Sequence, residues 1–336
     1  MPATLILNPY ANRWKCGGHT ERVEDCLRRN GIDYALKTTS GPMHATELAR
    51  SAAEAGDLPL IAAGGDGTYN EVVNGLLQAI PHSDLPAGPV GLLPLGTAND
   101  LADMLDLPRD LEVAAQVIAA GHTRVIDVGK VNGHYFANNS AVGLEPLVTI
   151  ENIRLTWLRG VIRYLVAAVI TIMKRPSWEA ELKWDSGSYT GSLTLVSVGN
   201  TRRTGGVFYM TPNALPNDGK LDFIFSPALS RARLLQLLPK TQSGVHISEP
   251  DVQEHRTIHL TIHTKPHTPI QADGELIAEE SINVVYEVVA GALQVFAPDS
   301  SSYRHYGSKS RGILKSLRGD QRDTLMPLLA TSRDVT

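Results

Sequence analysis

The stretch LIAAGGDGTYNEVVNGLLQAI, residues 60–80, places an apolar run directly before a glycine turn and an amphipathic pattern. Residues 60–63 predict a buried strand, and apolar residues every three or four positions over 70–80 predict a helix. A strand that enters a helix in this way is typical of a parallel α/β sheet. Glycines in the turn let backbone N–H groups approach an anion closely, and the helix N-terminus adds unpaired donors.

The same alternation of strands and helices extends over the first 128 residues. Strands are predicted at 4–7, 34–39, 60–63 and 90–95, and helices at 45–55, 70–80 and 111–120. This order predicts a mostly parallel sheet that helices cover on both faces, with a ligand site at the carboxyl ends of the strands. We therefore predict an N-terminal α/β domain over residues 1–128.

The sequence pattern changes after residue 127. Between Trp178 and Trp184 apolar and charged residues alternate one by one, which predicts a half-buried antiparallel strand. Further strands are predicted at 193–198, 221–225, 258–262, 282–288 and 293–296, with helices near 155–174 and 230–238. We therefore predict an all-β, sandwich-like C-terminal domain over 129–290 and a polar, basic tail over 301–336.

Composition excludes several classes of protein. The 336 residues are 43% hydrophobic and 20% charged, which is typical of a globular chain and not of a disordered, collagen-like or integral-membrane one. The net charge of −4 argues against a nucleic-acid partner. Two cysteines are too few for a disulfide framework or a four-thiolate zinc site, so we expect a reducing, cytoplasmic location. Arg159 and Arg163 interrupt the most apolar stretch, 155–173, and leave only about ten uninterrupted residues before Lys174, which is too few to span a bilayer.

The glycine turn at 64–67 carries one acidic residue, Asp66. A carboxylate beside phosphate groups is repelled unless it meets a divalent cation or a substrate hydroxyl. The turn is therefore a candidate phosphate cradle, with Asp66 as a candidate ligand of a cation or hydroxyl. The alternative is an ordinary strand-to-helix turn in which Asp66 caps the helix.

A second turn, PLGTANDL, follows the next strand at residues 94–101. It again joins a strand to a helix start through a glycine, and it presents Thr97, Asn99 and Asp100. Because neighbouring parallel strands end at the same sheet edge, the two turns would form one crevice. Thr97 equally fits a helix N-cap, with Asn99 and Asp100 in the first helical turn.

Five motifs, in chain order, resemble the diacylglycerol and sphingosine kinase family, in particular its soluble bacterial lipid kinases. They are GGDGTYNEVVNGL, LPLGTANDLA, RVIDVGKV, PNALPNDGKLD and QADGE. The resemblance covers about residues 3–298. It implies a Rossmann-like, ATP-binding N-terminal domain of the NAD kinase and phosphofructokinase type, and a β-sandwich-like acceptor domain. It also implies a strand at 291–300 that returns to the first domain. GGDGT also occurs in NAD kinases, and the later motifs separate the lipid kinases from them.

The resemblance implies that the first glycine turn holds the phosphates of ATP. The nucleotide-binding residues that it implies are Asn8, Thr39, Gly64, Gly65, Asp66, Gly67, Thr68, Tyr69, Asn70 and Thr97. After Pro9 the chain departs from the family, because Tyr10-Ala11-Asn12 stands where a Ser-Gly or glycine-rich step is usual.

Glu275, at the end of the QADGE motif, matches the general base of the family. A lipid hydroxyl is a poor nucleophile at neutral pH, and a carboxylate within hydrogen-bond reach can take its proton. We therefore take Glu275 as the candidate base, and Asp66, through Mg²⁺, as the residue that aligns the transferred phosphoryl group. Without the resemblance, Asp273-Gly274 predicts only a hairpin turn, with Glu275 as a solvated neighbour.

The segment Asn217-Asp218-Gly219 predicts a tight turn between two strands. In the similar bacterial kinases this position holds a structural Mg²⁺. The resemblance implies that the ligands here are the Asp218 carboxylate and the backbone carbonyls of Leu215 and Lys220.

Taken together, the motifs and the resemblance predict an ATP- and Mg²⁺-dependent kinase that phosphorylates a hydroxyl of a lipid such as diacylglycerol. The alternatives are a soluble-substrate kinase of the NAD kinase type and a catalytically inactive ATP- or lipid-binding regulator. We expect transient contact with a membrane surface through the 155–174 helix or the basic tail, although core packing explains that helix equally well. The oligomeric state stays open, a homodimer included.

Overall fold

The computed structural model describes residues 2–11, 19–96, 98–158, 160–174 and 176–299. All 13 strands within these ranges belong to one sheet. The strands are β1 (Ala3–Leu7), β2 (Tyr34–Thr38), β3 (Leu60–Gly64), β4 (Ala87–Pro94), β5 (Thr123–Val131), β6 (His134–Phe136), β7 (Asn139–Gly143), β8 (Trp178–Trp184), β9 (Gly187–Gly199), β10 (Leu221–Pro227), β11 (Gln253–Thr257), β12 (His259–Ala272) and β13 (Glu275–Phe296). The helices are α1 (His19–Arg29), α2 (His44–Ala55), α3 (Asp66–Ala79), α4 (Asp100–Met104), α5 (Leu111–Ala120), α6 (Leu144–Arg154), α7 (Gly160–Lys174) and α8 (Arg231–Thr241).

The N-terminal strands form a parallel sheet in the order β4-β3-β1-β2. Strands β1 and β3 are buried along their whole length because helices cover both faces. Ala49 of α2 and Leu76 of α3 pack on one face, and Val23 and Leu27 of α1 pack on the other together with α5. This is the parallel, doubly covered sheet that the alternation of elements predicts.

The later strands pair mainly antiparallel, in the order β11-β10-β9-β7-β12-β13, with β8 between β9 and β12. In β8, Trp178, Ala180 and Leu182 are buried and the charged residues between them are exposed, as the alternation predicts. These side chains belong to a second apolar core that also contains Phe223 and Phe225. Strand β11 is an additional strand that the sequence pattern did not indicate.

Strand β13 joins the two parts of the sheet. It pairs antiparallel with β12 and β5, and its last residues pair parallel with β4, with Leu293 opposite Ala87. The segments predicted as separate strands at 282–288 and 293–296, and most of the returning segment 291–300, therefore belong to one strand of 22 residues. Strand β5 crosses residue 128, where we placed the domain boundary.

Asp127, in β5, holds a kink of β13 in place. Its two carboxylate oxygens accept the backbone N–H groups of Gly291 and Gly219, each over 2.7 Å. Gly291 has a φ of 58°, which favours glycine. One buried side chain thus connects β5, the turn before β10 and the point at which β13 changes partners.

The structure has two helices, α6 and α7, where the sequence predicted one helix over 155–174, and that prediction is corrected. The second helix begins at Gly160, and α6 precedes it without having been predicted. The buried face of α6 includes Glu145 and Thr149, so its sequence lacks a clear apolar period. Arg163 donates from Nε to the carbonyl of Asn152 and thereby ties α7 to the end of α6. Arg159, Thr97 and the tail at 301–336 lie outside the described residues.

None of the helices in the described ranges is long and apolar enough to cross a membrane. Helix α7, the most apolar segment in the sequence analysis, has 15 residues. It packs against α6 and α8 through Ala167, Ala168 and Ile172.

Close packing of α2 on α3 gives a test of the fold. A Cβ atom on Gly75 would lie 2.2 Å from the carbonyl oxygen of Thr46 and 2.9 Å from the Cβ of Ala49. We expect Gly75→Ala to lower the free energy of unfolding by about 2 kcal/mol, although alanine favours helix by about 1 kcal/mol. Chemical denaturation measures the change. Gly41→Ala, at a glycine with open space, is the control, and an equally stable Gly75→Ala would contradict this packing.

Candidate active site

Two glycine turns lie against each other where β3 and β4 end. The N–H of Leu95 donates to the carbonyl of Gly64 over 2.8 Å. A Cβ atom on Gly96 would lie only 2.6 Å from the Cα atom of Gly65, so the contact requires glycine. The two turns therefore adjoin at one edge of the sheet, as the sequence predicts.

Glu275 lies across this edge from the first glycine turn. It is the first residue of β13 and follows a tight turn in which Asp273 and Gly274 have φ values of 48° and 86°. A Cβ atom on Gly67 would lie 2.8 Å from Oε1 of Glu275. The acid and the glycine turn are far apart in the chain, and folding brings them into contact.

The glycine turn and Glu275 share a cleft of about 560 Å³. The predicted site residues that line it are Asn8, Thr39, Gly65, Gly67, Thr68 and Glu275. The other lining residues are Tyr10, Ala11, Ser40, Gly41, Pro42 and Glu71. Nδ2 of Asn8 donates to the hydroxyl of Thr68 over 2.9 Å, which fixes the end of β1 against the start of α3.

Tyr69 and Asn70 are buried and do not line the cleft, and nucleotide binding by these two residues stays a prediction. Helix α3 begins at Asp66, which puts residues 69 and 70 on its buried side. Tyr69 is 1% exposed and packs in the core. Gly64, the last residue of β3, is also buried and does not line the cleft.

Asp273 holds the turn that carries Glu275. Its Oδ2 accepts hydrogen bonds from Nδ2 of Asn70 at 2.8 Å and from the N–H of Ala137 at 2.9 Å. Its Oδ1 accepts the N–H groups of Asn138 and Asn139 at 2.9 and 3.0 Å. Burial raises the pKa of Asp273, and these four donors act against that rise. The sequence analysis treated Asp273 only as a turn residue and missed this role.

Asp66 lies at the start of α3, beside the second turn. Its Oδ1 accepts the N–H of Leu101 at 3.2 Å. Burial, and then the negative charge of Asp100, raise the pKa of Asp66 to about 6. Arg203 pairs with Asp100 at 2.8 Å and not with Asp66. Asp66 does not line the cleft, but a carboxyl group in this environment is suited to a cation.

Glu71 adds a second carboxylate to the cleft and was also missed. Its oxygens accept the N–H groups of Met43 and Ala45, each at 3.0 Å, and so cap the start of α2.

The side chain of Glu275 is partly exposed to solvent, and its carboxyl group lies within the cleft. Desolvation there, followed by the charges of Glu71 and Asp273, raises the pKa of Glu275.

The predicted metal ligands Leu215, Asp218 and Lys220 lie in the segment before β10 and do not line the cleft. The Asp218 carboxylate accepts the N–H of Lys220 at 3.1 Å and pairs with the guanidinium of Arg256. Arg256 therefore pairs with the one carboxylate of this set, and the Mg²⁺ site at these residues stays a prediction. Across the described ranges, no three His, Cys, Asp or Glu side chains are grouped to hold a metal ion.

An apolar cavity of about 100 Å³ lies between α6, α7, α8 and the antiparallel part of the sheet. Most of its lining is apolar and includes Val148, Ala168, Leu195, Phe208 and Leu234. Such a lining accommodates hydrocarbon and excludes charged groups that lack partners.

Comparison with known proteins matches both parts of the chain to known families. Residues 2–131 match the family model "Diacylglycerol kinase catalytic domain", and residues 139–297 match the "YegS C-terminal NAD kinase beta sandwich-like domain". A diacylglycerol kinase of Bacillus subtilis is 30% identical over 81% of this chain and 89% of its own length. A diacylglycerol kinase of Mycobacterium tuberculosis is 31% identical over 88% of this chain and 94% of its own length.

A solved structure has the same fold. The crystal structure of a diacylglycerol kinase from Bacillus anthracis superposes with a TM-score of 0.67 at 20% sequence identity. The superposition covers 89% of this chain and 97% of that one. The likeness therefore spans the parallel and the antiparallel parts of the sheet.

The burial of Asp66 leads to a prediction about stability. With a pKa of about 6 in the folded state and 3.8 as its ordinary value, the carboxylate opposes folding above pH 6 and has no such effect below pH 4. We expect Asp66→Asn to raise the free energy of unfolding by about 2 kcal/mol at pH 7.5, with the gain vanishing near pH 4. Denaturation at both pH values tests this against the exposed control Asp33→Asn. A destabilised Asp66→Asn at pH 7.5 would show that a cationic group offsets the burial.

Proposed function

Because the chain belongs to the diacylglycerol kinase family and is a lipid kinase, we propose that it transfers the γ-phosphoryl group of ATP to a hydroxyl of a lipid alcohol. Glu275 is the base in this proposal, and the cleft beside the glycine turn is the nucleotide site. The observation that carries the proposal is the contact between Glu275 and Gly67 in one cleft.

The two adjoining glycine turns support the assignment of the nucleotide site. Gly65 and Gly67 leave the start of α3 open, and the first N–H groups of that 14-residue helix are donors for phosphate oxygens. Asn8, Thr39 and Thr68 supply polar groups around them. The strand order β4-β3-β1-β2 with helices on both faces supports a Rossmann-like domain of the NAD kinase and phosphofructokinase type.

Asp66 is the residue we assign to the Mg²⁺ that accompanies ATP. Its raised pKa and its proximity to Asp100 fit a carboxyl group that a divalent cation would stabilise. When bound, Mg²⁺ neutralises charge on the transferred phosphoryl group. A structural Mg²⁺ at Asp218 has no part in this proposal because Arg256 neutralises that carboxylate.

Glu275 acts on the acceptor. Its carboxylate takes the proton of the lipid hydroxyl as the hydroxyl oxygen bonds to the γ-phosphorus and the bond from that phosphorus to the bridging oxygen of ADP breaks, which releases ADP. The raised pKa of Glu275 brings its basicity closer to the working pH. The remaining rate enhancement comes from holding hydroxyl and phosphate in line, since phosphoryl transfer asks little covalent chemistry of a protein.

The acceptor side rests on the apolar cavity, which we assign to a hydrocarbon chain of the lipid. Near the connection between α6 and α7, three large apolar side chains are exposed: Ile153 at 58%, Trp157 at 74% and Ile162 at 64%. We assign this exposed group to transient contact with a lipid surface, where an aromatic ring and aliphatic tips insert favourably.

The first test of the proposal is transfer of labelled phosphate from ATP. We expect label in mixed lipid micelles and none in NAD, and Glu275→Gln should lower turnover by at least about 100-fold while ATP binding is retained. Glu279→Gln, which removes an exposed carboxylate from the same strand, is the matched control. Near-normal turnover of a folded Glu275→Gln would remove Glu275 from its role, and transfer to NAD alone would favour an NAD kinase.

Vesicle sedimentation tests the surface contact. We expect Trp157→Glu to weaken binding to anionic lipid vesicles by about tenfold, because a charged group replaces a ring that enters the lipid. Ile258→Glu introduces the same charge at another exposed apolar position, 53% exposed, and should bind as the unchanged protein does. Equal binding by both variants would exclude this surface.

A further inference from the structure

Arg203 is a largely buried cation that the phosphoryl-transfer chemistry does not use. It lies in the segment between β9 and β10, and its side chain is 18% exposed. Nε of Arg203 donates to Oδ1 of Asp100 at 2.8 Å, and Nη2 pairs with Oδ2 of Asp103. Because little water screens these charges, the guanidinium acts strongly on the acids beside it.

Both oxygens of Asp100, the first residue of α4, already accept hydrogen bonds. Oδ1 accepts Nε of Arg203 and the N–H of Gly206 at 3.1 Å, and Oδ2 accepts the same N–H at 3.0 Å. The side chain of Asp100 is 7% exposed. A buried carboxylate that is paired with a guanidinium and bonded through both oxygens has little tendency to bind a cation as well.

Asp66 lacks a partner of this kind. Among the described residues, no Lys, Arg or His forms an ion pair with it. Asp66 accepts the N–H of Leu101, the residue after Asp100, and the charge of Asp100 raises the pKa of Asp66, so the two carboxyl groups are close together. Two unpaired carboxylates in this arrangement would offer hard oxygen ligands to a free divalent cation. With Arg203 in place, only Asp66 is available.

Solvent reaches this group of side chains. Asp100, Asp103 and Arg203 line a pocket of about 340 Å³, together with Thr201, Tyr209 and others. A water molecule takes up about 30 Å³ in the liquid, so the pocket has room for a hydrated cation. A cation can therefore approach Asp100, and the charges decide whether it binds.

We propose that Arg203 prevents a free divalent cation from binding at Asp66, so that the cation enters the site only in complex with ATP. The guanidinium removes Asp100 from the set of available ligands and repels a further positive charge. The phosphates of a nucleotide supply the missing oxygens, since Mg²⁺ is usually held by one or two carboxylates together with substrate phosphates. Arg203 is thus a positioning residue that acts through Asp100. This inference rests on the proposed function, which assigns Asp66 to the Mg²⁺ of ATP.

The test is the binding of Mn²⁺ to the full chain without nucleotide or lipid, with free Mn²⁺ measured by electron paramagnetic resonance. We expect Arg203→Met to bind Mn²⁺ at least about tenfold more tightly than the unchanged protein, because a positive charge is lost and Asp100 is released. The gain should disappear when Asp66→Asn is added. Arg202→Met is the matched control, because it removes a neighbouring exposed guanidinium that donates to the carbonyl of Ala214. This control, and the charge-conserving Arg203→Lys, should stay within about twofold of the unchanged protein.

Equal Mn²⁺ affinity of Arg203→Met and Arg202→Met would overturn the inference. Weaker binding by Arg203→Met would also overturn it and leave Arg203 as a structural support of α4, since structural damage lowers affinity. Thermal unfolding establishes that each variant is folded. If Arg203→Met does not fold, Arg203→Gln, which keeps an N–H donor and removes the charge, decides the question: tighter Mn²⁺ binding supports the inference and unchanged affinity contradicts it.

This measurement uses neither a lipid nor phosphoryl transfer. A chain that transferred no phosphate to any lipid would therefore contradict the proposed function and leave the result for Arg203 intact. Conversely, an unchanged Mn²⁺ affinity beside normal lipid phosphorylation would contradict only the role of Arg203.

Discussion

The arrangement of the site depends on one carboxylate, that of Asp273, which accepts four hydrogen bonds from two other parts of the chain. Asn70 reaches it from α3, the backbone of residues 137–139 reaches it from the segment before β7, and Asp273 itself belongs to the β12–β13 turn. Hydrogen bonds to a charged acceptor contribute about 1.5–3 kcal/mol each when the geometry is good, which offsets part of the cost of burying the group. The turn is therefore fixed against the start of α3, and Glu275, two residues further, is held over Gly67. Without this carboxylate, the turn would lose the bonds that fix it to α3 and to residues 137–139 and would keep those of Gly274 to Gln271 and of the Asp273 N–H to Asn139.

The electrostatics of the cleft follow from the same arrangement. The described lining contributes two glutamates, Glu71 and Glu275, and no cationic side chain, and Asp66 and Asp273 lie close to it. A triphosphate brought into such surroundings is repelled unless a cation accompanies it or residues outside the described part of the chain supply positive charge. The N–H groups at the start of α3 attract phosphate but carry only about half an elementary charge. A nucleotide that arrives with its own divalent cation therefore suits this cleft better than a free one.

Local signals in the sequence predicted those features that depend on neighbouring residues. The strand, glycine turn and helix around residues 60–80 are each determined by residues that are neighbours in the chain. The same is true of the alternation of apolar and charged residues in β8. The position of Glu275 depends on a contact between distant segments, and only the resemblance to a kinase family indicated it. The spacing of Tyr69 could have assigned its side chain to the core, since it shares the i, i+3, i+4, i+7 face of α3 with Val72, Val73 and Leu76, all buried. The roles of Asp273, Glu71 and helix α6 had no such signal, because a polar residue buried against backbone donors looks the same in sequence as one in solvent.

The turn at 273–275 also divides two environments that lipid phosphorylation must bring together. On one side lies a polar cleft with two glutamates, and on the other lies an apolar cavity that ends at Glu145. The partition between them is formed by Asn139, Gln271 and Asp273, each of which bonds to the turn or belongs to it. A displacement of this partition changes both environments at once, because Gln271 contacts Gly274 on one side and Glu145 on the other. The surroundings of Glu145 and the orientation of Glu275 thus depend on one group of hydrogen bonds. That coupling explains why buried polar side chains lie where a purely structural core would place aliphatic ones.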